Sequence, residues 1–556
     1  MSRTRKSSNL CDDKIAGKGS STSQGPNEVS DYLDHEIAQL TKLSSRPHEL
    51  LSRDVPGRSR LPVSTMRMLV GREGNYSGRG RFSSADSRHV LSRYLPVHGP
   101  CTVDQLNSRT YVSQFSDDGT LFVAGCQGSH IRIYNVDKGW KIQKDILAKS
   151  LRWTITDTCL SPNQRYLVYA SLSPVVHIVD IGSAATESLA NVTEIHNGLD
   201  FSVNNDDYDE FGIFSVKFST DGRELVAASS DNSIYIYDLE ANTCSLQVPA
   251  HKSDVNTVCF ADEAGHLLYS GSDDNLCKMP HWFKQVWDRR CFISKGKAAG
   301  ILMGHLEGIT FIDSRGDGRY FISNGKDQTT KLWDIRKMSS NAKEYLGGAK
   351  WTQIDANSFR VHILETVKSG FGVRKEDIYS YNMSSQGSLD LQIKAYGLFD
   401  DELTYALLKS ILLLTCLFSN STPRLRDSDW DYRWMEYPPH AKILKHPRDQ
   451  SVTTYRGHSI LRTLIRCYFS PEYSTGQKYI YTGSSDCSVY IYDLVSGALV
   501  ATLDHHEGLV RDCSWHPLYP MIISSSWDGV IARWEFPGDG EAPTPVRRRS
   551  SLRRDL

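Results

Sequence analysis

The chain has 556 residues, with 64 Lys and Arg against 65 Asp and Glu and a formal net charge of −1. That balance excludes a whole-chain basic field for nucleic acid or an anionic membrane. Hydrophobic residues make up 39%, below a typical globular average, which predicts sizeable non-core segments beside a real core. Twelve cysteines stand at scattered positions without a Cys-x-x-Cys pair. Neither a zinc ribbon nor a disulfide framework is expected, and thiols such as Cys259 and Cys467 read as small apolar core residues.

At the N-terminus, Met1 to Ser7 leads into no apolar run, so no secretory leader is expected. Residues 1–27 are rich in Ser, Gly, Lys and Asp and read as disordered. Asn27 to Ser44 places Tyr32, Leu33, Ile37, Leu40 and Leu43 at helical intervals behind Ser30 as a cap. This is a short amphipathic helix that needs a surface to dock on. Gly71 to Arg81 carries Arg-Gly steps, including Gly78-Arg79-Gly80-Arg81, without the aromatic platform strand that RNA recognition uses. Ser87 to Leu95 is a second predicted helix, with Val90, Leu91, Tyr94 and Leu95 on one face before Pro96. Residues 1–104 therefore read as a mostly disordered, partly helical extension.

From there the chain repeats itself. Strand-like segments end in an aromatic or Val followed by Asp, Asn or Glu at Tyr134-Asn135, Val179-Asp180, Tyr237-Asp238, Trp287-Asp288, Trp333-Asp334, Tyr492-Asp493 and Trp534-Glu535. The first residues of these pairs lie 45, 58, 50, 46, 159 and 42 residues apart, close to the length of a four-stranded propeller blade except at the long gap. Inside each unit a first strand alternates, as in Phe214 to Phe218, and a turn such as Thr220-Asp221-Gly222-Arg223 follows. A small apolar strand comes next, as in Leu225 to Ala228, and then a tight turn with Asp at Asp231, Asp274, Asp327, Asp486 and Asp528. Gly128 and Ser173 replace that Asp in the first two units, which should be looser.

A His lies upstream at His251, His305, His458 and His505-His506. With these residues the chain resembles the WD-repeat family over about residues 105–537. The resemblance implies an all-β fold, a seven-bladed propeller closed into a ring without exposed sheet edges. It also implies a buried network joining the upstream His, a strand Ser or Thr, the turn Asp and the Trp. His251, Asp274, Trp287, His305, Asp327, Trp333, His458, Asp486, Asp528 and Trp534 are thereby expected to be structural, because a buried imidazole or carboxylate without partners costs several kcal/mol.

Blade four breaks the pattern. Ser270 to Lys278 should run straight into Val286-Trp287-Asp288, yet residues 279–285 intervene, with Pro280 inside the strand. Asp288 and Arg290 are expected to be poorly held as a result, through a splice or gene-model difference. The gap between Trp333 and Tyr492 holds residues 341–429, which carry no blade signature and read as an irregular insertion: an extra domain, a degenerate blade or a translated intron. The apolar run within it, Tyr405 to Phe418, is 14 residues long, is interrupted by Lys409, and is too short to span a bilayer comfortably. Trp430 to Pro439 reads as an ordered aromatic loop against the propeller. The basic tail, residues 538–556 with Arg547-Arg548-Arg549, is a nuclear signal, a kinase site or a solvated end.

The sequence has no phosphate loop, zinc-protease motif or nucleophile elbow, so no catalytic residue, metal or cofactor is assigned. Asp288-Arg289-Arg290 and Asp334-Ile335-Arg336 place Arg two residues after the blade-ending Asp in consecutive units, where it projects onto one rim. These paired Trp-Asp-x-Arg endings resemble the boxes of cullin-4 ligase substrate receptors. With Tyr455-Arg456-Gly457-His458 and Trp515-His516-Pro517, the whole run is similar to the type-eleven receptor family, particularly its plant members. That resemblance implies a non-catalytic substrate-recognition subunit of a RING ubiquitin ligase. It would bind the damaged-DNA-binding-protein adaptor through Asp288, Arg290, Asp334 and Arg336, and cullin-4 through that adaptor, in nucleus and cytoplasm. The substrates are unreadable, and neither membrane association nor direct nucleic-acid binding is expected. The alternative is a WD-repeat scaffold for another complex.

Overall fold

The computed structural model describes residues 37–38, 40–41, 65–75, 78, 80–182, 195–202, 211–262, 265, 267–280, 298–338, 430–439, 441–446 and 448–536. Their strands form seven four-stranded antiparallel sheets, the blades of a β-propeller. Blade one runs outward from Thr110–Phe115 to Lys141–Leu147, blade two from Ile155–Leu160 to His196–Asp200, and blade three from Ile213–Phe218 to Thr243–Pro249. Blade four runs from Val255–Phe260 to Ala298–Met303, blade five from Ile309–Ser314 to Thr453–Arg456, and blade six from Cys467–Phe469 to Leu499–Asp504.

Blade seven is built from both ends of the chain. Val510–Trp515, Met521–Ser526 and Val530–Glu535 receive His98–Gln105 as their outer strand, with His98 opposite Glu535 and Gln105 opposite Val530. The propeller therefore begins at 98 rather than at 105, and this pairing closes the ring. Periodicity could not find the strand, because it supplies one edge without repeating a unit.

Burial follows the blade. The second strand Leu121–Cys126 is buried throughout, whereas the outer strand Lys141–Leu147 is mostly exposed. Seven apolar clusters lie between successive blades, for example Ile309, Phe321 and Trp333 of blade five against Tyr269, Cys277 and Leu302 of blade four. Each such aliphatic or aromatic side chain contributes about 1.5–3 kcal/mol by leaving water. The described cysteines are free thiols, and Cys467 is core, as expected, while Cys259 is partly buried. The turn after Phe218 uses Gly222 at φ +71°, where a side chain would be strained.

The N-terminal helices differ in detail from the expectation. Helix α1, Thr65–Glu73, was not expected from the sequence, and the helix expected over 87–95 is α2, Ser84–Leu91. A capping box fixes the start of α2: Asp86 N–H donates to Ser83 Oγ at 3.1 Å and Ser83 N–H to Asp86 Oδ2 at 3.2 Å. Tyr94 and Leu95 lie beyond the helix. Leu95 is buried with blades six and seven, and Tyr94 meets Phe536 edge-on at 4.6 Å. Of the helix expected over 27–44, Ile37, Ala38, Leu40 and Thr41 are described; all are helical, and Ile37 packs among Phe311, Val452 and Tyr455.

In blade four the residues before the insert make the strand, Leu276–Pro280. Its ladder to the second strand has two pairs, Ser270–Lys278 and Gly271–Cys277, against six in blade five. Residues 281–297 lie outside the described part, as do 1–36, 339–429 and 537–556. The third strand of blade five pairs directly with Thr453–Arg456, so the expected insertion at 341–429 falls within the connection of a blade that is complete without it.

Candidate interaction site

In blade five, Asp327 accepts from His305 Nδ1 at 3.1 Å, His305 Nε2 takes the Ser323 hydroxyl at 2.6 Å, and the Trp333 indole donates to Ser323 Oγ at 2.7 Å. Burial alone would raise the Asp327 carboxyl, but His305 and Lys331 hold it well below the ordinary range. Blade seven repeats the arrangement: His506–Asp528 at 3.0 Å, His506–Ser524 at 2.7 Å and Trp534–Ser524 at 2.9 Å. Blade four retains His251–Asp274 at 3.0 Å and His251–Ser270 at 2.8 Å. Six residues past its turn Asp, where Trp333 and Trp534 stand in their blades, is Pro280; Trp287 lies outside the described residues. Asp, His and Ser meet here in the order of a hydrolytic triad. However, His305, Ser323 and Trp333 are all buried, and the serine oxygen is occupied by the indole. The arrangement braces a turn.

Blade six departs from the expectation. His458 Nδ1 meets the Tyr492 hydroxyl at 3.0 Å and Nε2 meets Thr330 Oγ1 of blade five at 3.2 Å. Burial lowers this imidazole to about 4. Asp486 is exposed and accepts from Tyr490 at 2.6 Å. The residue at the Trp position explains the change: Tyr492 brings a hydroxyl to His458, and the carboxylate is not drawn in.

At the opposite end of the strands lies the rim expected to carry the Arg residues. Asp334 is buried and caps a short 3-10 turn, Ile335–Lys337, accepting from Arg336 N–H at 3.0 Å. The same carboxylate receives Arg336 Nη2 at 2.8 Å and Arg319 Nη2 at 3.2 Å. The Arg336 side chain is nevertheless 56% exposed, so its pose is fixed while its face stays open. Arg319 stacks on Tyr320 at 4.5 Å; sequence reading missed it, although the basic turn Arg315–Arg319 was visible. Asp288 and Arg290 lie outside the described residues.

One blade onward on that face sits the N-terminal segment. Arg315 donates to Gln477 at 2.9 Å, and the same blade-six turn carries Glu472, paired with Arg88 of α2 at 2.7 Å. Tyr479 donates to the Ser92 carbonyl at 2.7 Å. In α1, Met68 is buried against Phe82 and Val90, while Met66 and Val70, one turn apart, are 70% and 55% exposed. An exposed arginine and an exposed apolar pair on a helix are features that protein-binding surfaces use.

A second charged group was invisible in the sequence. Around the ring axis, Arg466 binds Asp157 at 2.8 Å and Asp512 at 3.4 Å, and Lys217 binds Asp157 at 3.0 Å. Burial would raise Asp157, but Arg466 and Lys217 bring it to about 2. These residues come from four blades, and every carboxylate is occupied by cations, amides or hydroxyls. The cluster ties the ring together. Among the described residues no group of three or more His, Cys, Asp and Glu could hold a metal, and no helix is long and apolar enough to cross a membrane.

The WD domain, G-beta repeat model matches residues 207–238, 242–279, 296–334, 449–493 and 497–535, on blades three to seven; the blades whose turns carry Gly128 and Ser173 lie outside these segments. The chain is 65% identical over 556 residues to an LEC14B homolog of Prunus armeniaca, covering all of this chain and 99% of that one. It is 61% identical over 511 residues to the LEC14B protein of Lithospermum erythrorhizon, covering 92% of this chain and 90% of that one. A DDB1- and CUL4-associated factor 11 homolog of Caenorhabditis elegans is 32% identical over 483 residues, covering 85% of this chain and 69% of that one. The chain belongs to the family of LEC14B and DDB1- and CUL4-associated factor 11. The resemblance read from the Trp-Asp-x-Arg endings was to this family, and the match to the LEC14B homolog of Prunus armeniaca spans the whole length of the chain, including 1–97 and 341–429.

Proposed function

We propose that the chain is the substrate-recognition subunit of a cullin-4 RING ubiquitin ligase, joined to cullin-4 through the DDB1 adaptor and performing no chemistry itself. The observation that carries this reading is the likeness to DDB1- and CUL4-associated factor 11 homologues over 85% of the chain. The geometry supports it at Arg336, held half-exposed by buried Asp334, and in the exposed Met66 and Val70 of α1. Arg336 offers a planar donor for a carboxylate or carbonyl of the adaptor, and the helical segment offers apolar area. Asp288 and Arg290 are the second, weaker box. Residence in nucleus and cytoplasm belongs to the same proposal. Co-precipitation of the adaptor by wild-type chain and by Arg336→Ala tests it; equal recovery favours the scaffold reading.

A further inference from the structure

The turns on the face opposite Arg336 differ in where their acidic residues fall, although Asp274 and Asp327 are buried. In blades three to seven its turns carry Asp231, Asp274, Asp327, Asp486 and Asp528. The corresponding loops of blades one and two, residues 106–109, 127–129, 148–154 and 172–174, contain Arg109, Lys149 and Arg152 and no Asp or Glu. Lys149 bonds the His196 carbonyl at 3.1 Å, and Arg109 lies exposed over Trp527.

An aromatic floor joins these cations. The Arg109 guanidinium lies 4.5 Å from the Trp527 ring, Trp527 lies 5.5 Å from Tyr111, and Tyr111 lies 5.7 Å from Trp153. Trp153 is 56% exposed and sits at φ +69°, a conformation uncommon for a bulky residue, of the kind that gathers at binding sites. The Trp527 indole N–H has no acceptor among the described residues. Beside it, Gly128 faces Ser108 in a shallow, open depression of about 700 Å³ between blades seven and one. The carboxylate that lines this depression, Asp528, is taken by His506 and by the amides of Glu507 and Val530.

We propose that this floor, with Arg109 and Trp153 as its principal contacts, binds a short acidic peptide segment of a protein partner. Taken with the receptor reading above, on which this part rests, that segment is what the ligase reads on its substrate. A carboxylate pairs with Arg109 while an apolar side chain lies on Trp153 and Trp527. A nucleic-acid strand suits the face less well, because a continuous phosphate backbone leaving Arg109 meets Asp486 and Glu507 on one side and Asp231 and Asp254 on the other. The connection 203–210, outside the described residues, carries Asp206, Asp207, Asp209 and Glu210, so the test includes a variant in which these four are neutralised.

The test is fluorescence anisotropy on the full chain with three labelled probes: a twelve-residue peptide of Asp, Glu, Gly and one Leu, its Asn and Gln counterpart, and an oligothymidylate. The acidic peptide is expected to bind and the neutral one not. Arg109→Glu should weaken binding at least about tenfold, Trp153→Ala severalfold, and Arg223→Glu, on the opposite face, not at all, all with unchanged thermal unfolding. Affinity unmoved by Arg109→Glu and Trp153→Ala overturns the proposal. So does absence of binding both in wild type and in a variant with Asp206, Asp207, Asp209 and Glu210 neutralised, and so does tighter binding of the oligothymidylate. Adaptor recovery by the same variants should stay at the wild-type level. If the peptide binds as expected while Arg336→Ala leaves the adaptor unaffected, the receptor reading alone falls.

Discussion

Arg466 at the start of blade six reaches across the ring to Asp157 of blade two, Nη2 to Oδ1 at 2.8 Å, although the residues are 309 apart in sequence. It also donates to the Thr156 carbonyl at 2.9 Å and lies 5.1 Å from the Phe311 ring of blade five. The propeller is thus held by a charged brace at its axis as well as by apolar seams between blades. Removing one partner of a buried ion pair leaves the others uncompensated. Arg466→Ala should therefore destabilise the chain by about 3–5 kcal/mol in urea denaturation at pH 7. With Asp157 at about 2 in the fold, below its unfolded value, this contribution is present above about pH 4 and is lost as pH falls through 2.

Asp313 works in the opposite sense. Burial lifts its carboxyl to about 7, with the Phe469 amide and Lys217 only partly opposing the rise. Its folded value exceeds the unfolded one, so no penalty applies below about pH 4, and the penalty builds between 4 and 7. Asp313→Asn should gain stability relative to wild type across that window, about 4 kcal/mol by pH 8. Denaturation midpoints at pH 4.5 and pH 8 check this, and a difference that does not change with pH would contradict it.

The two turn aspartates of blades five and six should behave differently. Asp327→Ala strands His305 and the Leu306 amide and should cost about 1–3 kcal/mol. Asp486→Ala gives up one exposed bond from Tyr490 and should cost under about 0.5 kcal/mol. Thermal or urea unfolding of the pair separates them; equal losses would mean that Asp486 braces its blade as Asp327 does.

The count of seven blades was legible because each unit ends its third strand in the same way and five of the seven turn on the same Asp. The departures came from places where one residue changes a partner, as Tyr492 does for His458, or where distant segments meet. Blade six carries Thr482 and Tyr492 where blade five carries Ser323 and Trp333, and that was the available signal. No spacing rule links Arg466, Asp157, Lys217 and Asp512, because inner strands from separate blades meet only once the ring is closed. Likewise, His98–Gln105 belongs to blade seven through closure. Asp334 and Arg336 were legible as a pair; Arg319, which shares the Asp334 carboxylate, was not, because it lies on a different strand end.

Blade four offers a test by deletion. Removing residues 279–285 places Trp287 six residues after Asp274, the offset of Trp333 from Asp327, and Asp288 and Arg290 follow as Asp334 and Arg336 do. An indole donor to Ser270 and a longer ladder should add about 1–2 kcal/mol, seen as a higher unfolding temperature together with stronger adaptor binding. Equal stability and equal binding in the two forms would mean that the insert loops out without consequence.

The central claim is that the rim at Arg336 engages the adaptor. The direct measurement is the affinity of purified chain for the DDB1 adaptor, compared among wild type, Arg336→Ala and Arg336→Ala with Arg290→Ala. An interface arginine typically contributes about 2 kcal/mol or more, roughly thirty-fold in affinity. A loss of that size in Arg336→Ala, with unaltered thermal unfolding, is the expected result. Wild-type affinity in the double variant would contradict the account.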